Sequence, residues 1–286
     1  MSQATPMTHA TETLHSRLLH LPLDGKLTEV AYHSFPSAPG TILMLHEALG
    51  SVSYWKAFPN KLAHATGYNV IVYSRAGHGD SEGPVELRTD DYYLQQVQVV
   101  IPTLLQHFSV DCPVLYGHSE GAGIALLYAA KSDRVKALLL ESPFVIGNQA
   151  AGQVIQQMAA AYSGSKLQER LAHYHQNPDE VFHSWVRWAA SLGKEIFPLR
   201  DFLPDIACPV LVLQGASDEF GITMQLAALQ ASIADVQHET FADTGHLPHR
   251  EQTERVLQRV SRFLSSLPLS TTPLSNMQPL TGGCNS

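Results

Sequence analysis

The chain has 286 residues and a formal charge of −8, from 18 Lys+Arg against 26 Asp+Glu. Hydrophobic residues make up 44% and charged residues 15%, a globular composition that excludes a disordered or fibrous protein. An acidic chain without a basic run binds nucleic acid and anionic membranes poorly, so the expected partner is a small molecule.

Residues 1–15 are polar and are expected to be disordered. They hold no apolar stretch of signal-peptide length, and the longest apolar run, near residues 122–130, is too short to span a bilayer. A soluble cytoplasmic protein, monomer or homodimer, is the expectation. Two runs, 17–22 and 26–34, read as an antiparallel start to a sheet. Short apolar runs then follow at 41–45, 69–73, 113–116, 136–140 and 209–213, as parallel strands covered on both faces would show. Helical patterns at 91–107, 121–131 and 223–233 alternate with them, which predicts an α/β fold with a mostly parallel sheet flanked by helices. Residues 148–200 break the rhythm with helical patterns only, and read as an inserted helical cap. The core is expected over 16–147 and 201–267, with a disordered tail over 268–286. Cys112, Cys208 and Cys284 have no close spacing, which argues against a disulfide framework or a cysteine zinc site. Cys112 and Cys208 each precede Pro-Val and an apolar run, and read as small core residues.

Gly117-His118-Ser119-Glu120-Gly121 directly follows the strand at 113–116 and opens a helical run. In that strand–turn–helix setting, G-x-S-x-G marks Ser119 as a nucleophile. A sharp turn exposes the hydroxyl, small residues let strand and helix approach, and the helix N-terminus faces a developing oxyanion.

With four further segments, the chain resembles the α/β-hydrolase superfamily over roughly residues 17–266. Leu45-His46-Glu47-Ala48-Leu49-Gly50 sits where that family has its oxyanion loop, and Ser74-Arg75-Ala76-Gly77-His78-Gly79-Asp80-Ser81 resembles its R-G-x-G-x-S loop. Gln214-Gly215-Ala216-Ser217-Asp218 resembles its acid turn, and Thr244-Gly245-His246 its histidine loop. The resemblance implies a catalytic Ser119, His246 as base and Asp218 as acid, in that chain order. His249 competes as base, and Glu141, at a strand end, as acid. The implied oxyanion donors are the backbone N–H groups of Ala48 and Glu120. His118 reads as structural.

One departure stands out: Glu47 replaces the glycine usual after the histidine, as in a subset of bacterial α/β-hydrolases of undefined substrate. Glu47, Glu120 and Glu219 flank the implied site. They are either ion-paired or solvated, with Arg75 as a candidate partner, or they make a site that disfavours strongly anionic substrates or tunes a second proton transfer. Tyr54, Trp55, Phe144, Trp185 and Trp188 are candidates to line an apolar pocket. His173 and His175 lack the convergent ligands a metal needs. No metal and no cofactor are expected. The implied reaction is hydrolysis of an ester, thioester or lactone of a small, mainly apolar acid through an acyl-enzyme. A cofactor-free lyase or oxygenase on the same fold, and an inactive ligand-binding protein, are the alternatives.

Overall fold

Strand β3 (Thr41–Leu45) shows how the core is laid out: its side chains alternate between two apolar layers, Ile42 and Met44 into one and Leu43 and Leu45 into the other. The same alternation runs through β4 (Asn69–Tyr73), β5 (Val114–His118), β6 (Ala137–Glu141) and β7 (Val210–Gly215). These strands are parallel neighbours, buried on both faces, which is why they read as unbroken apolar runs. The computed structural model describes residues 15–23, 25–147, 149–189, 199–220 and 222–267. The expectations for the two tails therefore fall almost wholly outside the described residues.

A hairpin of β1 (His15–Leu23) and β2 (Lys26–Ser34) adds antiparallel to β4, and β8 (Val236–Phe241) closes the other edge. The eight-stranded order is β1-β2-β4-β3-β5-β6-β7-β8. Strand β8 has the sequence VQHETF and is buried only at Phe241 near its end, so it carries no apolar run to announce it.

Helices cover both faces. In chain order they are α1 (Phe58–Thr66), α2 (Asp90–Gln95), α3 (Ile101–His107), α4 (Glu120–Ala130), α5 (Gln149–Ala160), α6 (Lys166–Ala172) and α7 (Pro178–Ala189). After them come α8 (Leu199–Phe202), α9 (Ile222–Ser232), α10 (Pro248–Glu251) and α11 (Thr253–Ser266). Helices α1 and α11 pack one face. Helix α11 does so through Val256, Leu257, Val260, Phe263 and Leu264, a stripe at helical spacing. Helices α2, α3, α4, α8 and α9 pack the other. The helix expected over 91–107 is divided: α2 and α3 are joined by a widened turn, Gln96–Val100, next to Pro102, which has no N–H to return to the carbonyl four residues back.

Helices α5, α6 and α7 lie between β6 and β7 in sequence. Their own core, with Tyr162 stacked on Phe182 at 3.7 Å between ring centroids, continues into Ala48, Leu49 and Val85 of the sheet's loops. His175 pins them further. Its Nδ1 accepts the Gly79 N–H (3.0 Å) and its Nε2–H donates to the Leu49 carbonyl (2.9 Å). Burial holds this imidazole below its ordinary pKa, so the neutral ring meets both partners. Cys208 is half-buried, but Cys112 is exposed, against the expectation of a core residue. It ends the turn before β5, and burial begins only at Pro113. Among the described residues no helix is long and apolar enough to cross a membrane.

Candidate active site

Ser119 joins β5 to α4 with φ 53° and ψ −113°, a left-handed conformation that a non-glycine residue adopts only under constraint. The constraint is visible. The Ser119 N–H donates to the Glu141 carbonyl (2.9 Å), and its own carbonyl accepts from Ala122 (3.0 Å). Gly117 and Gly121 make the turn possible: a β-carbon on Gly117 would strike the backbone at Ala122, and one on Gly121 the backbone of Leu45 and His46.

His246 sits on the loop after β8, held by Glu251, which accepts from the Gly245 N–H (2.9 Å) and the Leu247 N–H (3.3 Å). His246 Nδ1–H donates to Asp218 Oδ2 at 2.8 Å. That carboxylate also accepts from Gln214 Nε2 (2.8 Å) and the Phe220 N–H (3.0 Å). Burial alone would raise Asp218, yet His246 and these donors hold it below the ordinary carboxylate range. Burial alone would push His246 down, but Asp218, aided by Glu47 and Glu219, raises it above its ordinary 6.5. His118 Nε2–H donates to the His246 carbonyl (2.9 Å), and burial drives its own pKa down to about 3. It is a neutral strut, as its place beside the turn suggested.

His249 and Glu141, the competing base and acid, find each other. Glu141 Oε1 accepts from the His249 N–H (2.8 Å) and from His249 Nδ1 (2.7 Å), while Tyr116 donates its hydroxyl to Oε2 (2.5 Å). Burial would raise Glu141, but His249 dominates and brings it down to about 2. The pair is packed under Trp55 and Phe58, away from the cavity that holds Ser119.

The loop after β3 shares a cavity with Ser119. The Ala48 N–H donates to no described acceptor, and the Glu120 N–H, first in α4, precedes the helical ladder. Glu47 turns its carboxylate onto its own loop, where Oε2 accepts from the Leu49 N–H at 2.6 Å. Burial raises its pKa. Of the three flanking carboxylates, only Glu120 is ion-paired among the described residues, to Arg75 (2.9 Å) and to Arg88 (2.6 Å). Arg75 was a sequence candidate. Arg88, which stands in no motif, was missed.

A cavity of about 120 Å³ opens on these groups, many times the space one water needs (about 10–15 Å³). Ser119, His246, Glu47, Ala48 and Glu120 line it, with Tyr54, Phe144, Trp185 and Trp188. Trp55 does not line it. Its ring lies in the core against Phe58, Tyr116 and His249, because neighbouring side chains of the short turn Ser53–Trp55 point apart. The sequence reading had not singled out Ile155, Met158, Leu167, Arg170 or Phe220, which also line it. Four of these come from α5 and α6 alone, whose pattern announced helices but not which face would meet the site. His173 and His175 hold no metal arrangement, and no cluster of metal-ligating side chains occurs among the described residues.

Comparison with known proteins supports the same fold. A proline iminopeptidase of Lactobacillus delbrueckii subsp. bulgaricus is 21% identical over 266 residues, covering 79% of this chain and 90% of that one. An esterase from Exiguobacterium antarcticum superposes with a TM-score of 0.68 at 20% identity, covering 87% of this chain and 99% of that one. An enol-lactonase from Burkholderia xenovorans gives 0.68 at 19% identity, covering 86% and 99%. The sequence model of the Alpha/beta hydrolase family matches residues 42–259. With that match and the parallel sheet behind it, this chain belongs to the α/β-hydrolase family of enzymes.

Proposed function

We propose that the protein is a serine hydrolase that cleaves an ester, thioester or lactone of a small, mainly apolar carboxylic acid. The observation that carries this reading is the 2.8 Å bond from His246 to Asp218 at the wall of the cavity that Ser119 also lines. Ser119 Oγ attacks the carbonyl carbon while its proton passes to His246 Nε2. The N–H groups of Ala48 and Glu120 receive the oxyanion. The tetrahedral species collapses, the leaving oxygen or sulfur takes the proton from His246, and the acyl group stays on Ser119. Water, deprotonated by the same imidazole, then attacks the acyl-enzyme, releases the acid and restores the Ser119 hydroxyl. Asp218 holds the tautomer and stabilises the imidazolium. The chemistry draws only on these side chains and needs no cofactor.

The aromatic walls from Phe144, Trp185, Trp188 and Phe220 favour an apolar acyl or leaving group. Two of them sit on α7, so we assign substrate selection to the inserted helices. Intact-mass labelling with a fluorophosphonate, beside turnover of p-nitrophenyl esters of rising chain length, tests the reading. Stoichiometric labelling that disappears in Ser119→Ala, with ester turnover, is the expected result. A folded wild-type protein that stays unlabelled would overturn it and favour proton abstraction by His246 without an acyl-enzyme. The carboxylate of Glu47 beside that imidazole suits such a reading.

A further inference from the structure

Ser119 and His246 account for bond making, but a buried carboxylate held by two arginines lies just behind them. Glu120 is 4% exposed, and its carboxylate is gripped from two sides. Arg75 Nη2 donates to Oε2 (2.9 Å), and Arg88 Nε donates to Oε1 (2.6 Å). Burial would raise the carboxyl, yet the two guanidinium groups hold it below its ordinary range. Isolated buried ion pairs are poor sources of stability, so a cluster this deep calls for another reason to exist.

The remaining guanidinium donors supply one. Arg75 Nη1 reaches the His46 carbonyl (2.7 Å) and its Nη2 the Glu47 carbonyl (2.9 Å). The second of these carbonyls belongs to the peptide unit whose N–H is that of Ala48. Arg88 Nη2 reaches the Ala48 carbonyl itself (3.0 Å). The peptide units on both sides of Ala48 are thus tied to the arginines that hold Glu120. The third arm of Arg88 goes elsewhere: Nη1 donates to Ser184 Oγ (2.9 Å), and Ser184 in turn donates to the Glu86 carbonyl (3.1 Å). Ser184 lies on α7 at zero exposure, one residue before cavity-lining Trp185.

We infer that Arg75, Glu120 and Arg88 form a clamp that sets the spacing of the two oxyanion donors, and that Ser184 couples this spacing to the seating of α7. The inference rests on the acyl-enzyme reading above, which makes Ala48 and Glu120 the donors. Arg75 and Arg88 are positioning residues and touch no reacting atom. The two donor amides come from segments far apart in sequence, the loop after β3 and the start of α4, and no other described side chain bonds to both segments. A guanidinium can span them because it presents donors in several fixed directions. A lysine ammonium cannot. Seating of α7 over a substrate would then tighten the oxyanion hole, and an unseated α7 would loosen it.

The test uses the full chain with Ser184→Ala and Arg88→Lys. Three quantities are read: kcat and KM on a p-nitrophenyl ester, and the affinity of an alkylboronic acid, which forms a tetrahedral adduct on the serine. Thermal unfolding shows whether each variant is folded. In Arg88→Lys, kcat and boronate affinity are expected to fall together by about tenfold to a hundredfold, with KM within about threefold. In Ser184→Ala, which keeps every charge of the cluster, the same pair should fall by about threefold to tenfold. Folded variants with wild-type kcat and boronate affinity overturn the clamp. So does a loss carried by KM alone, which would make the cluster part of the pocket wall. If Arg88→Lys does not fold, Ser184→Ala decides. A wild-type chain that takes no fluorophosphonate overturns the acyl-enzyme reading and the clamp with it, whereas labelled wild type beside unaffected variants overturns the clamp alone.

Discussion

His246–Asp218 and His249–Glu141 are two histidine–carboxylate pairs of nearly the same geometry, with contacts of 2.8 Å and 2.7 Å, built from histidines on one short loop and helix. Their surroundings differ. The side chains of the first are 16% and 4% exposed and stand at the cavity, and those of the second are 2% and 0% exposed and stand in the core beneath Trp55. A paired imidazole is therefore not in itself a catalytic group. What separates the two is access: one shares a cavity with Ser119, and the other has packed aromatic rings. The buried pair instead anchors the loop. Glu141 accepts the His249 backbone N–H as well as its ring, and its own carbonyl accepts the Ser119 N–H.

The sharpest way to break this contrast is to remove one histidine at a time. Ser119→Ala and His246→Ala should each lower kcat by about 10⁴-fold or more and abolish fluorophosphonate labelling. His249→Ala should keep measurable turnover and lose thermal stability instead, as seen by calorimetry. A dead His249→Ala protein with an unchanged melting point would reverse the assignment.

The carboxylates extend the test with a smaller effect on the second member. Asp218→Asn should cost up to about 10⁴-fold in kcat, because the imidazole loses its tautomer control. Glu141→Gln should cost far less in kcat but destabilise the fold by about 1–3 kcal/mol, since a buried acceptor of several bonds is compromised. Urea unfolding beside steady-state kinetics separates the two outcomes.

Stability against pH should distinguish the pairs further. The Glu141 carboxyl is held down at about 2 in the folded chain against an ordinary 4.5, so its contribution is in full force above 4.5 and fades as pH falls toward 2. Glu141→Gln should flatten that acid limb in a series of urea titrations. A limb of unchanged slope would remove the carboxylate from the account.

The smallest effect concerns the cavity pair. His246 must be neutral to accept the Ser119 proton, and its pKa is raised, so kcat/KM should climb with pH through a midpoint above 6.5. Glu47 favours the imidazolium. Glu47→Gln should therefore move the midpoint to lower pH and increase the fraction of activity kept at pH 6. A midpoint that does not move would show that the Glu47 charge is neutralised at the site.

Much of this was legible along the chain. The runs at 41–45 and 69–73 are strands with those same bounds, and Ser119 stands in the turn its motif implies. Those features are local: a strand buried on both faces must be apolar throughout, and a turn this tight needs glycine on either side of the serine. Strand β8 escaped because an edge strand with a wet face carries polar residues. The assignment of Cys112 to the core failed because a Pro-Val start tells where a strand begins, not where burial does. Trp55 was placed at the pocket by nearness in sequence to the oxyanion loop, but a turn sends adjacent side chains in opposite directions.

The α/β architecture and the order of the loops were readable from the sequence alone, and its motifs singled out Ser119, Asp218 and His246 as candidates, because period, glycine placement and chain order are properties of short segments. Only the tertiary structure decided which histidine meets which carboxylate, that Glu120 is clamped by Arg88 as well as Arg75, and that Ser184 reaches the clamp from α7. These are contacts across 28 to 108 residues of chain, and no local pattern encodes them. They exist because buried charges and hydrogen-bonding groups must find partners wherever the packed fold brings one within reach.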